Sequence, residues 1–496
     1  MAESVPARPV REFSEVQDRR AKMERFRAEG IDPYPRAFEG MTEIAAVQLA
    51  HNPAALEPGE HPAWSYRVAG RLIARRGHGK TTFLELRERS GSMQLYLQED
   101  ALGEEAYRRA LDLDIGDVVG GEGSVYVTKR GQLALAATQV TLLAKALRPP
   151  PDKHHGLDDP QTRFRNRELD LIANASTREL FVARARMVSA IRAWFDTRGF
   201  IEIESPALGY VRGGAAARPF VAHHHALDSD VYLRISTELY LKRCLIGGLE
   251  RVYELGKAFR NEGISPKHSP EFTLLEWIQT YTGYLDIAVQ IEELLAAVAL
   301  RTLGTTRIQR DGQTFDLAEP WRRVTMREAI LEATGVDVAS ADHAALAALV
   351  GEGIPADASW SWLVTTIYEK RVEPFIVAPT MVFDFPAEQL PLTRPQAEHP
   401  EYAEWFDAII GGIEVAAGAT ELNDPDVQRA RFVDQHARLR AGEDAAHPPD
   451  EEFVRALQYG MPPAAGGAIG VDRLLMVLTG VATLREALPF PALRER

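Results

Sequence analysis

Cysteine is almost missing from this chain, with Cys244 the single one in 496 residues. One thiol excludes an intramolecular disulfide and any cysteine-built metal site, and it fits a reducing compartment. Long apolar runs are missing too. The best candidate, IAVQIEELLAAVAL, is broken by Glu292 and Glu293, so nothing reads as a membrane span of about 18 apolar residues. The opening MAESVPARPV has no apolar core behind a basic start and does not read as a secretory signal. A cytoplasmic protein without a membrane partner is expected. Positive charge is in deficit: 57 Lys and Arg against 71 Asp and Glu leave a net charge of −14. That excludes a globally basic nucleic-acid coat but not a local basic face, because a phosphate feels the local field.

What is present is a globular balance, 45% apolar and 26% charged, in a chain long enough for more than one domain. Residues 13–30, with mixed charges and sparse Val16, Met23 and Phe26, predict one exposed helix stopped by Gly30. From about 66 to 147 five runs of strand length (YRVAGRLIARR, TTFLELRE, SMQLYLQ, VVGGEGSVYVTK, QLALAATQVTLLAK) alternate with turn signals, which predicts a small antiparallel barrel. Three consecutive prolines in RPPPDKHHGLDDPQ then break the chain. The domains expected are therefore an N-terminal helix and connection over 1–60, the barrel over 61–147, a linker over 148–165, and a larger domain over 166–496. In the last, Ser176-x-x-Glu179 has the form of a capping box before a helix carrying Leu180, Ala183, Met187, Ile191 and Trp194, with Gly199 as its C-cap. FIEIESP then alternates like a strand until Pro206.

Three segments carry chemistry. In 251–281, RVYELGKAFRNEGISPKHSPEFTLLEWIQTY, two alternating strands flank a polar loop. Strand parity groups Val252, Glu254, Gly256, Ala258 and Arg260 on one face, and Phe272, Leu274, Glu276 and Ile278 on one face of the return strand. If the faces coincide, they offer a guanidinium, a ring and a carboxylate to one ligand; a hairpin with surface charges is the plainer reading. Arg suits bidentate contact with phosphate or carboxylate, and a ring can stack on a base. In 466–480, GGAIGVDRLLMVLTG, a glycine-rich strand or turn runs into a helix with Arg473 in its first turn, matching neither Rossmann nor P-loop spacing. In 405–424, WFDAIIGGIEVAAGATELND, Asp407, Glu414 and Glu421 are candidate Mg2+ ligands, since Mg2+ favours a few carboxylates plus substrate phosphates; the plainer reading is a solvated strand face. His223-His224-His225 lacks further ligands at zinc spacing and reads as surface. Arg148, Lys153, Arg163, Arg165 and Arg167 form a basic run that could touch RNA or be solvated.

Taken together, FRNE at 259–262, PEFT followed by LE, and GVDR resemble motifs 2 and 3 of the class II aminoacyl-tRNA synthetases, and the helix ending in FIEIESP resembles their motif 1, about 180–206. KALRPPPDKHHGL, GGAAARPF at 213–220, ELYLKR at 238–243, FRNEGIS and ELND are similar to the bacterial class II lysyl enzymes, and the likeness runs over nearly the whole chain. It implies an α+β fold: an N-terminal OB-fold barrel that binds the anticodon, and a class II antiparallel-sheet catalytic domain flanked by helices. It implies ATP as substrate, up to three Mg2+ per subunit, tRNA as partner, and a homodimer through motif 1. On the matching positions, Arg260 would bridge the amino acid carboxylate and the α-phosphate. Phe272 and Arg473 would sandwich adenine, His268 would approach the phosphates, and Asp407 and Glu414 would hold metal. Gly214 and Glu238 would serve the α-amino group, and Glu276 and Glu421 the ε-ammonium. Arg76, Phe83 and Gln94 would read the anticodon; without the resemblance Phe83 reads as barrel core.

The chain departs from that pattern at the pocket. Ile278 stands where the family has Tyr, Ala417 and Ala419 where it has Asn and Phe, Ala468 for a glycine, and Asp407 for Glu. In the barrel the GEL-like turn is Gly131-Gln132-Leu133. Losing a hydrogen-bonding partner of a charged group costs about 1.5–3 kcal/mol. By the resemblance, lysine activation and transfer to tRNA is the leading expectation, while these departures favour a different amino acid. A paralogue using another diamino acid or acceptor, and a non-catalytic RNA-binding relative, are the alternatives.

Overall fold

In the computed structural model, residues 8–151, 157–211, 213–310, 312–355, 357–440 and 448–494 are described; Lys153 of the basic run and part of the linker lie outside them. The chain divides into two compact units, 1–174 and 175–496.

In the first unit, helix α1 (Arg8–Ala28) ends as expected at Gly30, whose φ of +77° lies where a side chain is disfavoured. It is not wholly exposed: Met23 and Phe26 are buried. Helix α2 (Ile44–Ala50) follows, and then β1 (Gly59–His78), β2 (Thr81–Arg87), β3 (Ser92–Gln98), β4 (Val118–Val127) and β5 (Leu133–Ala144) close a barrel in the order β1-β2-β3-β5-β4. It is not antiparallel throughout. Helices α3 (Glu99–Leu102) and α4 (Glu104–Leu111) intervene after β3, so β5 returns beside it in parallel. Alternation on β2 and β3 sends Leu84, Leu86, Met93, Leu95 and Leu97 into the barrel core. Helices α5 (Pro160–Arg165) and α6 (Arg167–Ala173) complete this unit.

The second unit opens with α7 (Ala175–Asp196). This helix already includes Ser176, so the expected capping box does not form: Asn174, extended at φ −105° and ψ 116°, precedes the first turn. The strand expected in FIEIESP shrinks to β6 (Ile201–Glu202), because the Ser205 N–H turns to the Glu254 carboxylate at 3.0 Å rather than to a neighbouring strand. A small sheet of β7 (Leu208–Gly209), β8 (Val221–His224) and β9 (Ser229–Leu233) leads to α8 (Glu238–Ile246). The hairpin β10 (Arg251–Phe259) and β11 (Glu271–Thr280) precedes α9 (Tyr284–Leu303), and a second hairpin, β12 (Arg307–Arg310) and β13 (Gln313–Asp316), follows. Next come β14 (Arg322–Thr325), α10 (Met326–Thr334), α11 (His343–Val350), α12 (Trp360–Arg371) and β15 (Thr380–Phe383). The hairpin β16 (Trp405–Ile410) and β17 (Ile413–Thr420) is followed by α13 (Pro425–Arg440) and α14 (Glu451–Leu457), then β18 (Ala464–Gly470), α15 (Val471–Thr479) and α16 (Leu484–Ala487).

Eight strands form one sheet in the order β14-β15-β16-β17-β18-β11-β10-β6. The six from β15 to β10 are antiparallel, but β14 and β6 join in parallel, so the sheet is mixed rather than antiparallel. One face packs on α7, α9 and α15 through Met187, Ile191, Trp277, Ile291, Leu295, Phe406 and Leu474. The opposite face carries the site.

Candidate active site

Period-two alternation and the observed register lay the site out in rows across the sheet. Glu254 pairs with Glu276, Glu276 with Ala468, Ala468 with Ala417, and Ala417 with Asp407. The next row is Val252, Ile278, Gly466, Ala419 and Trp405. The two faces of the 251–281 hairpin thus coincide, with Ala258 opposite Phe272. A cavity of ≈ 350 Å³ opens above these rows, and Gly214, Glu238, Arg260, His268, Phe272, Glu276, Ile278, Glu414, Ala417, Ala419, Glu421, Ala468 and Arg473 all line it.

At one end are the groups suited to a nucleotide. The Arg260 guanidinium sits 5.2 Å from the centre of the Phe272 ring. Arg473, in the first turn of α15, donates to a Glu414 carboxylate oxygen at 3.1 Å and to its carbonyl at 3.0 Å. Its neighbour Asp472 is buried, accepts from the Thr273 N–H at 2.7 Å and pairs with Arg184 at 2.6 Å, so α15, α7 and the strand bearing Phe272 are tied together. His268 pairs with the Ser265 hydroxyl at 2.7 Å within the loop.

At the other end the wall is acidic. Glu276 is buried and accepts from Ser236 Oγ at 2.7 Å, the Thr237 N–H at 2.5 Å and Thr237 Oγ1 at 2.6 Å. Burial pushes its pKa up while these donors favour the carboxylate. Lys242, with no exposed side chain, pairs with Glu238 at 2.7 Å and Glu421 at 2.6 Å. Burial pushes Glu421 up to about 7 against the pull of Lys242, with Glu238 and Glu276 adding to the rise. Gly214, at φ +91°, leaves room for Ser236, whose Oγ would lie 2.9 Å from an added Cβ. A Cβ on Gly466 would lie 2.7 Å from a Glu421 carboxylate oxygen.

The expected three-carboxylate metal set is not brought together. Six residues of strand lie between Glu414 and Glu421, about 23 Å from one to the other along extended chain, and Glu421 is taken by Lys242. Among the described residues no three metal-ligating side chains converge. Asp407 is held well above its ordinary range first by burial and then by the Glu414 carboxylate, which itself pairs with Arg473 at 3.1 Å. The one hydrogen bond to the Asp407 carboxylate recorded among the described residues comes from Trp405 Nε1 at 2.9 Å.

Trp405, Lys242, Asp472, Ser236 and Thr237 were not singled out from sequence. Lys242 stands four residues after Glu238 in a helical ELYLKR, and Trp405 two before Asp407 on a strand, so both spacings were visible. Ile278 packs against Leu241 and Leu245 of α8 as well as lining the cavity.

On the barrel, Phe83 alternates with the buried Leu84 and faces outward, so it is not core. It stacks on Tyr96 with ring centres 4.8 Å apart, and Tyr96 on Tyr126 at 4.6 Å. Arg76 is exposed opposite Phe83, and Gln94 pairs with Glu85 in a cleft that also holds Gly131 and Gln132. Of the basic run, Arg167 is buried on Asp170 at 2.6 Å and Arg163 reaches the same carboxylate at 3.0 Å, so these two hold α5 and α6. His223 and His224 are exposed on β8, with His223 between Asp228 and Asp230.

Residues 159–494 match the family described as tRNA synthetases class II (D, K and N). This chain belongs to that family. Residues 66–143 match the OB-fold nucleic acid binding domain. Over 479 residues the chain is 44% identical to a lysine–tRNA ligase of Moorella thermoacetica, covering 96% of both. It is 41% identical over 486 residues to that of Bacillus subtilis, covering 97% of both, and 43% identical over 493 residues to that of Pasteurella multocida, covering 97% and 98%. An aminoacyl-tRNA ligase with an OB-fold barrel and a class II catalytic unit is thus the outcome of the reading from sequence.

Proposed function

We propose that the protein activates lysine with ATP and transfers it to the 3′ end of tRNA(Lys). The observation that carries the choice of amino acid is the charge of the wall. Glu238, Glu276 and Glu421 bring three negative charges and Lys242 one positive, leaving two uncompensated. Two ammonium groups on one substrate balance them, and Arg260 balances the substrate carboxylate. An acidic amino acid would add charge to a wall already in excess, at a high cost in a buried site. The relatives named lysine–tRNA ligase agree, and neither the site nor the relatives favour another acceptor or a silent enzyme.

In the first step a carboxylate oxygen of lysine attacks the α-phosphorus of ATP, the bond to the β-phosphate oxygen breaks, and pyrophosphate leaves. The chain supplies position and charge rather than acid–base chemistry. Arg260 lies where negative charge crowds in the transition state. Phe272 and Arg473 hold the base from two sides, and His268 approaches the phosphates. Mg2+ on Asp407 and Glu414, with up to three ions per subunit, would offset phosphate charge. In the second step a tRNA 3′-terminal hydroxyl attacks the acyl carbon and AMP leaves. The outward rings of Phe83, Tyr96 and Tyr126, with Arg76 and Gln94, suit single-stranded anticodon bases, which are read by stacking and polar edges. A homodimer is supported by the terminal position of β6 in the sheet and by the exposed apolar side chains of Val182 on α7, Ile201 on β6 and Leu208 on β7. We place the enzyme in the cytoplasm, where translation supplies its tRNA.

The test is amino-acid-dependent ATP–pyrophosphate exchange over lysine, ornithine, β-lysine, arginine and N-ε-substituted lysines, with sedimentation for the dimer. Exchange that is strongest with lysine is expected. Exchange with another amino acid and none with lysine refutes the assignment.

A further inference from the structure

The buried ammonium of Lys242 takes no part in the reaction above, yet it stands behind the wall that receives the amino acid. We propose that Lys242 is a positioning residue for the substrate's ammonium groups: it holds Glu238 and Glu421 aligned and ionised, and sets the wall at two uncompensated negative charges. This rests on the reading of a diamino acid as substrate.

Three observations support it. Lys242 has no exposed side chain and does not line the cavity, whereas both its carboxylate partners do. Its three N–H groups are all engaged, by Glu238 at 2.7 Å, Glu421 at 2.6 Å and the Leu392 carbonyl at 3.1 Å. Those partners come from α8, from the residue after β17, and from the 390–393 loop, so one ammonium fixes the relative placement of three parts of the wall. The arithmetic of charge gives the arrangement a purpose. Without Lys242 three carboxylates face one dication, an excess charge remains in a buried site, and the cheapest relief is a proton on one of them. That proton would occupy a carboxylate an ammonium needs.

The test uses the full-length enzyme in ATP–pyrophosphate exchange, with KM for lysine, KM for ATP and kcat measured from pH 6 to 9, beside thermal melting. Lys242→Met is expected to raise KM for lysine about tenfold or more, as a charged hydrogen-bonding partner is lost, while kcat and KM for ATP stay within about twofold. The pH below which KM for lysine climbs is expected to move upward, because a cation that favoured ionisation is gone. Lys242→Arg keeps the charge and is expected to leave that pH near the wild-type value. A wild-type KM and pH profile in Lys242→Met overturns the proposal. So does a loss shared equally by kcat and both KM values with a lowered melting temperature, the mark of a structural ion pair alone. If Lys242→Met does not fold, a displaced pH profile in folded Lys242→Arg overturns it. Wild-type exchange separates the two readings: if lysine fails there and another diamino acid succeeds, the substrate assignment falls and Lys242 is judged on that amino acid.

Discussion

Lowering the pH from 8 to 6 is expected to raise KM for lysine about tenfold without a matching change in KM for ATP. The perturbation acts on Glu421, whose carboxyl is pushed up to about 7 by burial, with Glu238 and Glu276 adding to the rise and Lys242 opposing it. The sign follows from which form binds. An ammonium is held by the carboxylate and not by the neutral acid, so affinity falls as pH drops through about 7 and is full above it. At pH 8 about nine-tenths of the carboxyls are ionised and at pH 6 about one-tenth, and an apparent dissociation constant scales inversely with the competent fraction. The ratio is about ten.

The assay is initial-rate pyrophosphate exchange at saturating ATP, repeated at saturating lysine to follow ATP. Glu421→Gln removes the titrating group, so its KM is expected to be high at every pH and the slope between pH 8 and 6 to vanish. A wild-type KM that is flat over that interval, or a slope that survives in Glu421→Gln, refutes the argument.

Phe272→Ala should raise KM for ATP by about tenfold or more, since base stacking on a ring contributes about 1–3 kcal/mol; exchange kinetics check it, and an unchanged KM places adenine elsewhere. Ser236→Ala removes one of the donors to the buried Glu276 at a cost of about 1.5–3 kcal/mol, expected as a weaker KM for lysine with ATP little affected. Phe83→Ala on the barrel should raise KM for tRNA in the charging assay by about tenfold while leaving pyrophosphate exchange intact. Trp405→Phe keeps a ring but removes the N–H that Asp407 accepts, and a higher Mg2+ requirement in exchange is the expected outcome, read from a magnesium titration.

Strand parity was the most legible part of the site. A period of two grouped Glu254 with Ala258 on one strand and Phe272 with Glu276 on the other, and the observed register, with Ala258 opposite Phe272, brings those two faces together. The five barrel strands were legible for the same reason, but the parallel pairing of β3 and β5 was not, since nothing local encodes which strand returns beside which. The capping box at Ser176 failed because the chain is already extended at Asn174 and the helix begins one residue earlier. Grouping Asp407, Glu414 and Glu421 by residue type ignored the length of strand between them. Lys242 shows a different gap: its spacing from Glu238 was visible, but its pairing with Glu421 joins residues 179 apart.

The four departures at Ile278, Ala417, Ala419 and Ala468 acquire a meaning only in the rows of the sheet. Ala468 and Ala417 lie side by side between Glu276 and Asp407, and Ala419 lies between Gly466 and Trp405. The floor between the acidic wall and the nucleotide end is therefore made of small side chains. Trp405 is the bulky group at its β16 side, and it lines the same cavity. A floor without hydroxyl, amide or ring cannot select lysine by enclosing its methylenes or by hydrogen-bonding its ammonium. Missing contacts of one methylene are worth only about 1–3 kcal/mol in discrimination in any case. Selection must then rest on the wall, where every carboxylate is already held by named donors or by Lys242. Charge number is expected to exclude neutral and acidic amino acids strongly, and the open floor to exclude longer diamino acids weakly. Lysines whose Nε substituent keeps the positive charge are accordingly expected to be discriminated against least, which pyrophosphate exchange over substituted lysines checks.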